Sequence, residues 1–204
     1  MTAIDTDVRV RGEMGRVRSV PAEAGIWVFV ALDVLIFGWM FVLYAYQRAE
    51  HPVVFHAASD VITPAFGLIY TVLLLTSSWF IVTAIGSLRR HEHQVAERCI
   101  NLGIGFGAAF AVLKVVEYSI KFAHGYLPVT NQFLMFYFVL TFVHFLHASG
   151  GLIALGFVRN QIRRSAENGQ LPRQNVQLVE AAGIFWHMVD LLWIFLFALF
   201  YLGK

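Results

Sequence analysis

Long apolar runs separated by short polar segments are the main pattern along this chain. The five runs cover residues 25–46, 64–88, 100–123, 133–158 and 179–202. Each holds about 20 residues or more, the length that an α-helix needs to cross a hydrocarbon layer about 30 Å thick. Because a backbone in lipid must satisfy its own hydrogen bonds, each run is predicted to be helical. The pattern therefore predicts an all-α integral membrane bundle of five transmembrane helices in residues 25–204, after a polar tail at residues 1–24.

The positive charges between the runs predict how the bundle lies in the membrane. Eleven arginines fall in the tail and in the second and fourth connections: Arg9, Arg11, Arg16, Arg18, Arg89, Arg90, Arg98, Arg159, Arg163, Arg164 and Arg173. The opposite side carries Arg48, Lys121 and Lys204. Since Lys and Arg are enriched in cytoplasmic loops, the N-terminus is predicted to lie inside and the C-terminus outside. The segment 159–177, "RNQIRRSAENGQLPRQNVQ", is expected to form the longest loop.

The composition agrees with a membrane protein and excludes several other classes. The chain is 58% hydrophobic and 14% charged, whereas soluble domains are roughly 45–50% apolar and about 25% charged. A formal charge of +2, with no basic patch among aromatic residues, gives no indication of nucleic-acid binding. The single Cys99 excludes an internal disulfide and any paired-cysteine metal site. The expected location is a bacterial-type plasma membrane, which the chain crosses several times.

Ionisable residues inside the apolar runs are the candidate functional residues. A charged side chain at bilayer depth is costly unless it is paired, so such residues are rare and usually functional. They are Asp33, Lys114, Glu117, His144, His147, Glu180, His187 and Asp190. At a rise of about 1.5 Å per residue, four of them share a layer roughly 12 to 16 Å from the inner helix ends: Asp33, His147, His187 and Asp190. Spacing also places His187 and Asp190 on one helix face, directed toward protein.

The spacing of these residues leaves several roles open. Lys114 and Glu117, at i and i+3, are expected to form a structural ion pair. His144 and His147 share a face, where they are either haem or metal ligands or hydrogen-bonding groups that contact the core or lipid. Asp33 has no cation on its own helix. It is therefore protonated, paired with a residue such as His187, or in contact with another subunit. No metal site is predicted.

Four sequence motifs resemble one known family. The last run, "VEAAGIFWHMVDLLWIFLFALFYL", is similar to its signature at Glu180, Trp186, His187, Asp190 and Trp193. The stretch "FVHFLHASGG" supplies His144, His147 and Gly151, "VVEYS" supplies Glu117 and Tyr118, and "LLLTSSW" supplies Ser77 and Ser78. This set resembles subunit III of the haem–copper oxidases in its short, five-helix form. Asp33 departs from the glutamate usual in that family, and Tyr70 stands where an asparagine is often found.

The resemblance implies a non-catalytic subunit of a terminal cytochrome c or quinol oxidase in aerobic electron transport. Such a subunit binds no haem or copper itself and packs against subunit I, which holds them, with subunit II in the same complex. It also holds structural phospholipid and supports proton uptake and proton translocation. Asp33, Glu117, His144, His147, Glu180, His187 and Asp190 are then expected to contact lipid or other subunits.

Two alternatives differ from this interpretation. The opening run, "EAGIWVFVALDVLIFGWMF", is similar to short members that accompany nitric oxide reductases, so the partner enzyme could be of that kind. A different class is a haem b electron-transfer protein, in which His147 and His187 from separate helices would ligate the iron.

Overall fold

The computed structural model of this protein describes residues 22–59, 61–168 and 173–202. Throughout these ranges the regular structure is helical. The helices are α1 (Ala22–Glu50), α2 (Pro52–Ser59), α3 (Pro64–Arg89), α4 (His93–Ala123), α5 (Gln132–Asn168) and α6 (Arg173–Phe197), and α6 continues into a π-helical turn at Ala198–Leu202. Every helix except α2 is long and apolar enough to span a membrane. The predicted all-α fold with five spans is confirmed, whereas the orientation of the termini stays a prediction.

Two connections differ from the sequence prediction. The segment after α1 contains the short helix α2, which is too short to give a membrane-spanning signal. The prediction of a loop over residues 159–177 is wrong for most of these residues, because α5 continues to Asn168 and α6 begins at Arg173. Arg, Gln, Glu and Ala favour the helix even outside lipid. The end of the apolar run therefore does not mark the end of the helix.

Helix α6 occupies the centre of the bundle and packs against α1, α3 and α5. Its Trp186 is fully buried, and the ring lies against Gly107 of α4 and Gly151 of α5. A Cβ atom at either glycine would lie 2.8 Å from the indole, so both positions need a residue without a side chain. Small residues allow membrane helices to approach in this way. The close packing fixes the rotation of α6 and thus the directions of its polar side chains.

Candidate functional site

Glu117 of α4 lies at the centre of an enclosed polar cluster. It is buried, and four donors surround its carboxylate: the hydroxyl of Tyr137 at 2.7 Å, the ammonium of Lys114 at 2.8 Å, the hydroxyl of Tyr70 at 3.0 Å and the ammonium of Lys121 at 3.6 Å. Each carboxylate oxygen faces two of them. Hydrogen bonds of this kind stabilise the charged form of a carboxylate and satisfy it in a water-free interior. The ion pair that the spacing of Lys114 and Glu117 predicts is therefore part of a larger network.

The ammonium group of Lys114 is enclosed by aromatic rings. Its side chain is fully buried, and it also donates to the Tyr137 hydroxyl at 3.1 Å. Four ring centroids lie 5.1 to 5.4 Å from the nitrogen, those of Tyr70, Tyr118, Tyr137 and Trp193. Cation–π attraction at this range is stronger where water is excluded. These rings replace part of the solvation that the lysine loses on burial.

Asp33 of α1 forms its contact with α5. Its Oδ2 lies 3.3 Å from Nε2 of His147, while Nδ1 of the same imidazole donates to the carbonyl of Val143 at 2.8 Å. Of the alternatives that the sequence leaves open for Asp33, pairing with His187 is therefore wrong. The cause is the rotation of α6, because His187 faces α3 while α1 packs on another side of α6. The four groups of the predicted inner layer form two separate pairs.

His187 and Asp190 form the second pair, together with Ser78 of α3. The Ser78 hydroxyl is hydrogen-bonded to Nδ1 of His187, and Oδ2 of Asp190 lies 3.8 Å from the same nitrogen. Asp190 is buried, as predicted for a residue facing protein, but the His187 side chain is 40% exposed. Among the described residues, Nε2 of His187 has no hydrogen-bond partner. The outer edge of this imidazole thus faces away from the bundle.

His144 is enclosed by the bundle. It has no exposed surface, and neither ring nitrogen has a hydrogen-bond partner among the described residues. Its ring packs against Trp193 at 5.3 Å and Phe110 at 6.0 Å between centroids. Contact of His144 with lipid or with another subunit, which the sequence suggests, is therefore wrong. Glu117 is equally enclosed, so the same correction applies to it.

The geometry does not support a haem held between two histidines. His147 is directed to Asp33 on α1, whereas His187 is directed to Ser78 on α3, so their imidazoles do not face one another. Across residues 22–59, 61–168 and 173–202, no group of three or more His, Cys, Asp or Glu side chains has an arrangement suited to a metal ion.

Glu180 lies at the end of the bundle, not within its polar interior. It accepts a hydrogen bond from Arg89 at 2.7 Å, and the two side chains are 24% and 65% exposed. The arginine is the last residue of α3, so this pair links the ends of two helices where water can reach them. Glu180 therefore differs from the other candidates, which lie deeper.

Several members of these networks were missed as site residues by sequence reasoning. Tyr70, Tyr137 and Tyr201 join the Glu117 cluster, with 3.4 Å between the hydroxyls of Tyr137 and Tyr201. Lys121 was counted with the outer loop charges, yet it is buried and donates to the carbonyl of Val61. One signal could have found it, since Lys121 follows Glu117 by four residues and so shares its face.

The fold and the clusters define a class: an integral membrane protein of five spanning helices that pairs most of its intramembrane polar groups internally. Residues 9–204 match the family described as cytochrome c oxidase subunit III. The chain therefore belongs to that family, as the sequence motifs indicate.

Individual relatives support the same assignment. Cytochrome bo(3) ubiquinol oxidase subunit 3 from Pseudomonas aeruginosa is 29% identical to this chain over 180 residues. The matched region covers 87% of this chain and 83% of the relative. Cytochrome c oxidase subunit 3 from Bacillus sp. (strain PS3) is 26% identical, covering 87% and 84%. A haem–copper oxidase subunit I+III from Aeropyrum pernix is 27% identical, covering 88% of this chain and 22% of that longer protein.

Proposed function

We propose that this chain is the non-catalytic third subunit of a terminal respiratory haem–copper oxidase and that it packs laterally against the catalytic subunit I. Oxygen reduction and electron transfer then take place on haem and copper in the partner chain. Subunit II and membrane lipids are further partners in this proposal. Membership of the subunit III family supports it, and so does the Aeropyrum pernix relative, whose name joins subunits I and III.

The observation that carries the proposed contact is the outward-facing imidazole of His187. It lies within the spanning part of α6, and its side chain is 40% exposed. A polar group facing hydrocarbon without a hydrogen bond costs several kcal/mol. A neighbouring transmembrane helix that presents an acceptor or a hydroxyl to Nε2 would remove this cost. The hydrogen bond between the Ser78 hydroxyl and Nδ1 fixes the ring so that Nε2 lies on its exposed side, with Asp190 3.8 Å from Nδ1.

The same surface also suits a supporting role in proton uptake. With the predicted orientation, Asp33, His147, His187 and Asp190 lie in the inner half of the membrane, where protons enter. They form two fixed pairs that brace α1 against α5 and α6 against α3. Rigid helices at that depth would hold the adjoining part of subunit I, and thereby its uptake route, in a constant shape.

The test is recovery of subunit I with a tagged form of this chain. We expect His187→Ala to lower that recovery, because the partner helix then meets a void and loses a hydrogen bond. Asp190→Ala should act in the same direction, since it removes the carboxylate beside the ring. Val112→Ala is the matched control, because Val112 is exposed on α4, which carries none of the residues that contact His187 or Asp190. Full recovery of subunit I with both variants would contradict the proposed contact.

A further inference from the structure

A small pocket at the end of the bundle where α4 ends reaches the Glu117 cluster. Its volume is about 120 Å³, far below the range of about 300–1,000 Å³ typical of sites for larger ligands. It is nevertheless well above the roughly 10–15 Å³ that one water molecule needs. Its polar lining residues are Thr63, Glu117, Lys121, His124 and Tyr126. The pocket therefore suits a ligand of a few atoms, and Lys121 and Glu117 border both the pocket and the enclosed cluster.

The charges of the cluster do not balance. Two ammonium groups, those of Lys114 and Lys121, face the single carboxylate of Glu117. The two lysines are buried, with 0% and 7% of their surface exposed. Among the described residues that border the pocket, Glu117 is the only acid. A buried charge without a counter-charge is strongly unfavourable. With both lysines charged, the cluster thus has an excess of one positive charge.

The excess charge is located at Lys121. Lys114 donates to Glu117 and Tyr137 and is surrounded by aromatic rings away from the pocket. Lys121 donates to the carbonyl of Val61 at 3.2 Å, and its ammonium lies 3.6 Å from the Glu117 carboxylate. An ammonium group has three donors, so these two contacts leave one of them for a further partner. The pocket is the place from which that partner can approach.

From the excess charge and the size of the pocket we propose that it binds a small monovalent anion of the chloride kind at the Lys121 ammonium. One negative charge balances the cluster, whereas a divalent anion would reverse the sign of the imbalance. Glu117 also borders the pocket, but three closer donors already bind its carboxylate. Thr63 adds a hydroxyl, which makes no capping hydrogen bond at the start of α3 and is free to donate to the ion. The proposal does not depend on which enzyme the chain accompanies.

The test is the line width of the chloride-35 NMR signal with the purified full chain in detergent, without added lipid and at constant ionic strength. We expect broadening beyond that of the micelles alone, which bromide removes by competition. Gluconate, which is monovalent but larger than the pocket, and the divalent sulfate should leave it unchanged. Lys121→Gln should weaken chloride binding at least about tenfold, because a charged hydrogen bond is lost. Lys121→Arg should retain binding, and Arg98→Gln is the matched control, since Arg98 is exposed on α4 outside the pocket.

A second variant keeps the proposal testable if Lys121→Gln does not fold. Val61→Phe fills part of the pocket and retains the main-chain carbonyl to which Lys121 donates, and it should also reduce the broadening. Broadening equal to that of the micelles alone, or unchanged in Lys121→Gln and Val61→Phe, would overturn the proposal. A phosphodiester is also monovalent, so the measurement is repeated with phosphatidylglycerol. Loss of the chloride signal on adding this lipid would assign the pocket to a lipid head and overturn the proposal.

Discussion

Replacing Glu117 by glutamine tests the enclosed cluster most directly. The substitution keeps the size of the side chain and removes its charge. Because each carboxylate oxygen faces two donors, the new amide NH₂ meets donors in either orientation. The fully buried Lys114 also loses its counter-ion. Glu117→Gln therefore leaves the ammonium groups of Lys114 and Lys121 without their carboxylate and mismatches the hydrogen-bond network in a water-free interior.

The magnitude follows from the burial of the pair. Removing one partner of a buried ion pair costs about 3–5 kcal/mol, since the remaining charge stays desolvated. The rings around Lys114 offset part of this cost, because cation–π contacts do not require the carboxylate. We therefore expect a loss of about 3 kcal/mol in the free energy of unfolding. The double variant Lys114→Met, Glu117→Gln removes both charges of this pair and leaves Lys121 as the remaining cation. It should recover at least about 1 kcal/mol of that loss.

The assay is unfolding of the purified chain in mixed micelles, followed by far-UV circular dichroism as the denaturing detergent fraction rises. Val116→Ala, at an exposed position on the same helix, serves as the control. Stability within about 0.5 kcal/mol of the parent for Glu117→Gln, a change typical of ordinary surface substitutions, would refute the reasoning. A double variant less stable than Glu117→Gln alone would also refute it, because the two charges would then not compensate each other.

Two further predictions concern packing and the helix ends. Gly107→Ala should destabilise the bundle by about 1–3 kcal/mol, because the new methyl group overpacks against Trp186. Gly105→Ala should be neutral or stabilising, because a Cβ atom at Gly105 meets nothing within 4 Å. Thermal unfolding of both variants checks this difference, and equal effects would contradict it. Glu180→Gln should change the stability of the chain by about 1 kcal/mol or less, because the ion pair of Glu180 with Arg89 is solvent-exposed. A loss of several kcal/mol in the same measurement would show that Glu180 acts within the membrane.

The fold could be predicted from the sequence because the bilayer itself imposes the pattern. Five long apolar runs must be helices, since lipid cannot satisfy any other open backbone. The ends of the helices could not be predicted in the same way, because hydropathy indicates only where the hydrocarbon layer ends. Helix α5 continues beyond that point to Asn168. The short helix α2 was missed for a similar reason, since its eight residues cannot span the membrane.

The candidate site could be predicted only where it is local to one helix. Lys114 with Glu117, and His187 with Asp190, follow from i, i+3 spacing. The contact of Asp33 with α5 depends on how the helices are arranged around the bundle, and spacing within a single helix contains no information about that arrangement. The count of residues along each helix places Asp33 at the same depth as His147 and His187. The packing of Trp186 sets the rotation of α6, which turns His187 toward α3 and leaves His147 as the partner of Asp33.

Enclosed and outward-facing polar groups should respond differently to the presence of the partner subunit. Glu117 and Lys114 form their hydrogen bonds within this chain, so substitutions there should lower stability whether or not subunit I is bound. His187 is only partly satisfied within the bundle. Its substitution by alanine removes the contacts with Ser78 and Asp190, so the isolated chain should lose about 1 kcal/mol of stability, less than Glu117→Gln loses, while recovery of the complex falls. The two kinds of residue can therefore be separated by measuring unfolding and complex recovery on the same set of variants.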